Sequence, residues 1–284
     1  MTAGAGEELT VASRKRRCPH RWLHKAYLLP AEHGSWSWLL VPFFVGAAIA
    51  GSWSAAIIFV LSGGLSAFLV RQPATAWLRI RRGRGRRRDE VVTAFWTGLF
   101  ALIAVLSLAG LLVVGRRSLL WLLPPVAVLL LIYLCVAQIN RAQVRNLWME
   151  LAGAAGLAVM APAAYVASRN VLDGTAWLLW ALMATQNVLG ALYVRLRISD
   201  THQRDQARLP LLLSHLVGLL IVAAALAVVG ATMLALVPFV YFLTRALWLT
   251  RAPRPIVNIK RFGFSEVGVE LVAGLWLIFS FLLP

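Results

Sequence analysis

The chain is poor in cysteine and in acidic residues, and each shortage removes a class of chemistry. Its two cysteines, Cys18 and Cys135, stand far apart, one in a basic tail and one inside an apolar run. Neither a disulfide framework nor a CxxC metal or redox site is on offer. Also missing are a phosphate-binding glycine loop, a Ser/His/Asp arrangement with useful spacing, a haem attachment motif and a zinc motif. Charged residues make up only 14% of the 284 residues, too few to keep a soluble domain of this apolar content in solution. What fills the space is hydrophobic: 60% of the chain, with a mean hydropathy of +0.76. This is the composition of a membrane protein.

Apolar runs near the ~20 residues that a bilayer requires predict nine transmembrane helices, at about 34–51, 54–71, 92–114, 118–136, 147–168, 172–195, 209–229, 231–249 and 264–283. The turns at 51–53 and 229–230 are so short that helices one and two, and seven and eight, are expected to be antiparallel neighbours. Residues 1–28 form a basic tail, expected to be a disordered cytoplasmic segment. Residues 29–284 form a single polytopic domain, with halves at about 29–136 and 147–249 and a further helix at 264–283.

The net charge of +17 is lopsided along the chain. Alternate segments, beginning with the N-terminal tail, hold 25 Lys and Arg; the segments between them hold three, Arg116, Arg117 and Arg169. Cytoplasmic loops retain positive charge, so the N-terminus is expected inside and the C-terminus outside a cytoplasmic membrane. The run RIRRGRGRRR at 79–88 is then an orientation signal able to meet anionic headgroups, and no nucleic acid is needed to explain it. A cleaved signal peptide ending near AIAGSWSA fits poorly, because the basic region before it would be too long.

Charge inside a span is costly, so ionisable residues there are candidates for function. Most gather at the end expected to face the cytoplasm: Glu32, His33, Asn140, Asn146, Glu150, Gln186, Asn187, Arg195, Arg197, Glu266 and Glu270. In helix six Gln186, Gly190, Tyr193 and Arg197 fall at i, i+4, i+7 and i+11, one stripe of the helix. Gly263, Glu266, Glu270 and Gly274 repeat the arrangement in helix nine, and small residues beside polar ones favour a bundle interior. In the opening peptide PAEHGSW, Pro30 and Glu32 suit a helix start, and Pro42 further on frees the carbonyl of Trp38 for another partner. His33 next to Glu32 could serve proton chemistry; no second His or Cys follows it at metal-ligand spacing. Glutamates near the openings of helices one, five and nine, with basic clusters beginning at Arg71 and Arg195, suggest two similar four-helix units plus a ninth helix.

PAEHGSW with its apolar helix, RQP after helix two and LYVRLRI after helix six resemble the YwiC-like family of bacterial multi-pass membrane proteins, over about residues 28–283. A more distant resemblance is to the UbiA-type intramembrane prenyltransferases. That likeness implies a nine-helix bundle with an inside N-terminus and motifs after helices two and six. In that superfamily the motifs are Asp-rich and hold Mg²⁺ for a prenyl diphosphate; here Arg71, Gln72 and a run of arginines follow helix two, and Arg195 and Arg197 precede Asp200 and Asp205. No cofactor is expected on that basis, with Mg²⁺ at Asp200 and Asp205 as the remaining metal reading.

The reading that follows is a UbiA-like bundle binding or transforming an isoprenoid or other anionic-headed lipid, with membrane lipids as its partners. Arg71, Arg195 and Arg197 bind the acidic head, since guanidinium matches phosphate oxygens. Gln186, Asn187 and Tyr193 line the cavity, with Gln72, Asn146, Glu150, Glu266 and Glu270 beside them, and Glu32 and His33 supply catalysis. The alternatives are a small-anion transporter and a structural partner of a membrane complex.

Overall fold

The computed structural model describes residues 34–139, 146–203 and 206–283, and all regular structure among them is helical. The α-helices are α1 (Ser35–Ile49), α2 (Ala56–Leu69), α3 (Arg71–Arg81), α4 (Glu90–Val113), α5 (Leu123–Ile139), α6 (Leu147–Leu157), α7 (Met160–Arg169), α8 (Gly174–Thr201), α9 (Leu209–Val229), α10 (Val237–Thr250) and α11 (Ile259–Leu282). Where two helices, or a helix and a short 3-10 turn, follow one another almost without interruption they act as one rod. Five such rods and three single helices, eight rods in all, are long and apolar enough to cross a membrane, and α1 adds 15 described residues. The tail 1–28, Glu32, His33, Asn140 and Asp205 lie outside the described residues.

The rods run further at their basic ends than the hydropathy pattern implies. Arg71 and Gln72 belong to α3, which prolongs α2 to make the rod Ala56–Arg81, and Arg195 and Arg197 lie within α8, not in a loop after it. The cause is local: RQPATAWLRIR and LYVRLRISDT contain good helix formers and no glycine, and arginine reaches water along its own stem. Pro73 falls in the first turn of α3, where its missing N–H leaves only the Leu69 carbonyl unserved and marks the seam with α2. At the start of α11, Asn258 Oδ1 accepts from Arg261 N at 3.0 Å, so that helix begins five residues before the apolar run.

Packing places α8 and α1 at the centre. α8 lies against α6, α7, α9 and α10 and also meets α1 and α11, while α1 is wedged between α7 and α11. The expected pairing of α9 with α10 is present, through a turn closed by Gly230 at φ +71°. α1 and α2 instead make little contact, α2 packing on α4 and α7. Gly46 explains the preference of α1: its bare Cα lets the helix approach the Ala161 backbone on α7 so closely that a Cβ would overlap the carbonyl.

Side chains tie rod ends together at the basic end. Asp200 Oδ1 accepts from Arg208 Nη2 at 2.7 Å and its Oδ2 from Arg254 N at 2.8 Å, while Arg208 Nη1 reaches Leu249 O at 2.6 Å. Arg84 Nη1 donates to Gln138 O at 3.0 Å. At the other end Ser54 Oγ donates to Ala167 O and Tyr165 to Asp173, the residue that also caps α8.

Candidate functional site

No proline interrupts α8, so the stripe Gln186, Gly190, Tyr193, Arg197 keeps one direction, and it faces α11 and α10. Gln186 Nε2 donates to the backbone carbonyl of Glu270 at 3.2 Å. A Cβ on Gly190 would sit 3.4 Å from Glu270 Oε1. The Tyr193 ring lies under the Arg245 guanidinium, 3.8 Å from its centroid, and its hydroxyl accepts from Arg197 Nη1 at 3.2 Å.

α11 supplies two carboxylates one turn apart, and they have different partners. Glu266 Oε2 accepts from Arg245 Nη2 at 2.6 Å, both side chains being largely buried at 17% and 13% exposure. Glu270 Oε1 accepts from the indole of Trp38 on α1 at 2.6 Å. The polar groups therefore form a track rather than a ring: Arg197 outermost, then Tyr193 with Arg245 and Glu266, then Glu270 with Gln186 and Trp38. Glu270 is the twelfth of the 24 residues of α11, about 17 Å along the axis at 1.5 Å per residue. The track thus starts at the basic end and reaches the middle of the rods.

Asn187, the next residue of α8, points elsewhere and closes the architecture. Its Nδ2 donates to the carbonyl of Trp38, which Pro42 leaves without a helical partner, and to that of Ala154 near the seam between α6 and α7, each at 3.0 Å. One amide thereby serves two helices next to their irregularities.

The outer part of the track lines a cleft of about 560 Å³ between α8, α10 and α11, walled by Tyr193, Arg197, Tyr241, Arg245, Trp248, Phe262, Ser265 and Glu266. Arg197 stands out within it. Its guanidinium lies 5.0 Å from the Phe262 centroid, its Nε is buried and without a partner, and it belongs to none of the four ion pairs among the described residues.

The other sequence-derived candidates do not share this cleft. Arg195 pairs with Glu150 at 2.9 Å, half exposed, beside a second, mostly apolar groove of about 680 Å³ between α6, α8 and α9. Arg71 donates to Phe68 O and stacks between Phe68 and Tyr133, with centroids at 4.6 and 5.1 Å, and Gln72 is half-buried beside it in the first turn of α3. Asn146 is exposed at the start of α6 and makes no side-chain cap. The three arginines assigned to one acidic head therefore occupy three neighbourhoods. Sequence reasoning missed Arg245 and Trp38. The first was counted with a basic loop although it lies in the apolar run 231–249, flanked by Tyr241 and Thr244, and that lone charge in a span was the available signal.

Of the residual Mg²⁺ pair, Asp205 lies outside the described residues and Asp200 alone can be placed. The Asp200 side chain is 3% exposed and both its oxygens are engaged by Arg208 and by the Arg254 N–H; Glu90 is paired with Arg81 at 3.2 Å. Among the described residues no three His, Cys, Asp or Glu side chains group as metal ligands.

Residues 29–165 match the family described as YwiC-like protein. Over 179 residues the chain is 28% identical to the protein described as "Uncharacterized protein YwiC" of Bacillus subtilis (strain 168), covering 62% of this chain and 70% of that one. No solved structure matches the chain significantly. The family match takes in α1 to most of α7, so Trp38 falls within it and α8, α10 and α11 beyond it. With its eight membrane-length apolar rods the chain has the make-up of a multi-pass membrane protein, and over residues 29–165 it is similar to the YwiC-like family.

Proposed function

We propose that this protein holds the anionic head of a lipid, an isoprenoid phosphate or a phospholipid, in the cleft between α8, α10 and α11. Arg197 carries the reading: a half-buried guanidinium with a buried, unpartnered Nε and, among the described residues, no carboxylate at ion-pair distance, facing a cleft of lipid-head size. Phosphate oxygens would complete its fork by charge-assisted hydrogen bonds. Arg245, already held by Glu266 and two tyrosine rings, adds positive potential without being free to move. Tyr241 and Trp248 offer apolar faces to the first carbons of a chain.

In this reading the basic end faces the cytoplasm with the N-terminus inside, and the arch at 79–88 lies on anionic headgroups of the inner membrane. Nine spans, in two four-helix units and a ninth helix, then follow a UbiA-like plan. Glu32 and His33, which precede α1 in the sequence, remain the proposed proton donors should the bound lipid be transformed, and no Mg²⁺-dependent step is derived.

The test is equilibrium binding to the purified full chain of labelled polyprenyl diphosphate and phosphatidylglycerol, with phosphatidylcholine as the neutral comparison. Arg197→Met weakens binding of the anionic lipids about tenfold or more, the loss of one charge-assisted bond, and leaves the neutral lipid unchanged. Equal anionic binding by both proteins overturns the proposal. One observation favours a second reading, a proton-coupled anion transporter: the polar track continues inward to Glu270 at mid-helix. Anion flux into proteoliposomes, lost in Arg197→Met, would select it.

A further inference from the structure

Among the described residues, two acceptor oxygens at the inner end of the track receive no hydrogen bond. Glu270 is 8% exposed and Gln186 1%, yet Glu270 Oε2 and Gln186 Oε1 are both buried and unpartnered. The orientation of the Gln186 amide is fixed by its surroundings: Nε2 donates to the Glu270 carbonyl, and turning the amide over would set oxygen against oxygen. The indole of Trp38 serves Glu270 Oε1, and the Ser37 hydroxyl also comes within reach of the carboxylate while donating to Gly34 O at 2.8 Å.

The charges around Glu270 do not neutralise it. On α11 the neighbour is Glu266, another carboxylate. From α10 comes Arg245, whose Nη2 is engaged by Glu266 at 2.6 Å. From α8 come Gln186, Gly190 and Tyr193, with Arg197 further out and bonded to the Tyr193 hydroxyl. α1 has no ionisable residue between Ser35 and Ile49. A carboxylate this deep without a cation is costly in a membrane-embedded bundle. A water molecule could meet the empty acceptors but would leave the charge.

We infer that Glu270 and Gln186 form a site for a small cation, a proton or an alkali-metal ion, in the middle of the bundle and separate from the cleft that Arg197 faces. The two sources share one chemistry, positive charge delivered to acceptor oxygens in a place shut off from bulk water. Access follows the stripe on α8: the cleft wall reaches Val269, next to Glu270, and Gly190 keeps the step between them free of a side chain. The inference does not depend on what fills the cleft.

The full chain in lipid nanodiscs is put through two exchanges, choline for Na⁺ at constant pH and a pH step in choline alone. Thermal unfolding midpoint and the infrared carboxylate difference spectrum are read in each. In the wild type one exchange moves the midpoint, upward with Na⁺ or upward as pH falls, because a ligand bound only by the folded state stabilises it, and the same exchange produces a carboxylate difference band. In Glu270→Gln the band is gone and the shift is lost, while in cation-free buffer the variant unfolds no lower than the wild type, since an amide needs no counter-charge. Glu150→Gln retains band and shift. A response to Na⁺ assigns an alkali-metal ion and a response to pH alone assigns a proton. Should Glu270→Gln fail to fold, Gln186→Met weakens the responsive cation at least tenfold. No response to either exchange, or identical bands in the wild type and Glu270→Gln, means that water fills the site and overturns the inference.

Discussion

The rod Arg87–Val113 and the rod Gly174–Thr201 are almost equal in length and opposite in character. In the most apolar window of the first, 11% of residues are buried; in that of the second, which is less apolar, 56% are. A soluble protein would order them the other way, with the greasier helix inside. In a bilayer the lipid tails already receive apolar surface, so what drives a helix to the centre is close packing and hydrogen bonding. α8 has both, through Gln186, Asn187, Gly190 and Tyr193, whereas α4 shows lipid Phe95, Leu102, Val105 and Leu106.

Four substitutions break or sharpen that contrast. The largest effect is expected on the inner side from Arg245→Met, which strands the Glu266 carboxylate and costs about 3–5 kcal/mol. Unfolding by denaturant in detergent measures it, and the double variant Arg245→Met/Glu266→Leu should recover most of the loss. Asn187→Leu comes next at about 2–3 kcal/mol, because the carbonyls of Trp38 and Ala154 each lose a buried donor. Gly46→Ala should cost about 2 kcal/mol by the same assay, the new methyl having nowhere to go but into the Ala161 backbone. On the lipid side, Gly98→Ala meets nothing within 4 Å and should be neutral or gain up to about 1 kcal/mol from helix propensity. If Gly98→Ala proved as damaging as Gly46→Ala, α4 would be packed against something other than lipid.

The same contrast explains what the sequence did and did not disclose. Helix positions were legible from apolar runs, and the stripe on α8 was legible from periodicity, because an unbroken helix keeps its phase over three turns. The Trp38 carbonyl could be read as free from Pro42 alone, but not that Asn187 would take it, since partner choice depends on how α1 meets α8. Helix ends were misread where amphipathic character replaces hydropathy, at 71–81, 196–201 and 259–263. Arg245 was hidden by counting charges per loop, a bookkeeping that cannot tell a snorkelling arginine from one turned inward. Arg71, Arg195 and Arg197 looked equivalent in sequence and differ in tertiary surroundings: two aromatic rings, one glutamate and an open cleft.

Cysteine protection at position 265 reports directly on occupation of the cleft, because Ser265 is exposed and lines the cleft that Arg197 faces. In a Cys18→Ser/Cys135→Ala background, Ser265→Cys is labelled with a membrane-impermeant maleimide with and without polyprenyl diphosphate or phosphatidylglycerol. Labelling is expected to slow about tenfold with the anionic lipids and to be unaffected by phosphatidylcholine, with protection lost on adding Arg197→Met. Labelling at the same rate with and without anionic lipid would contradict lipid binding in the cleft.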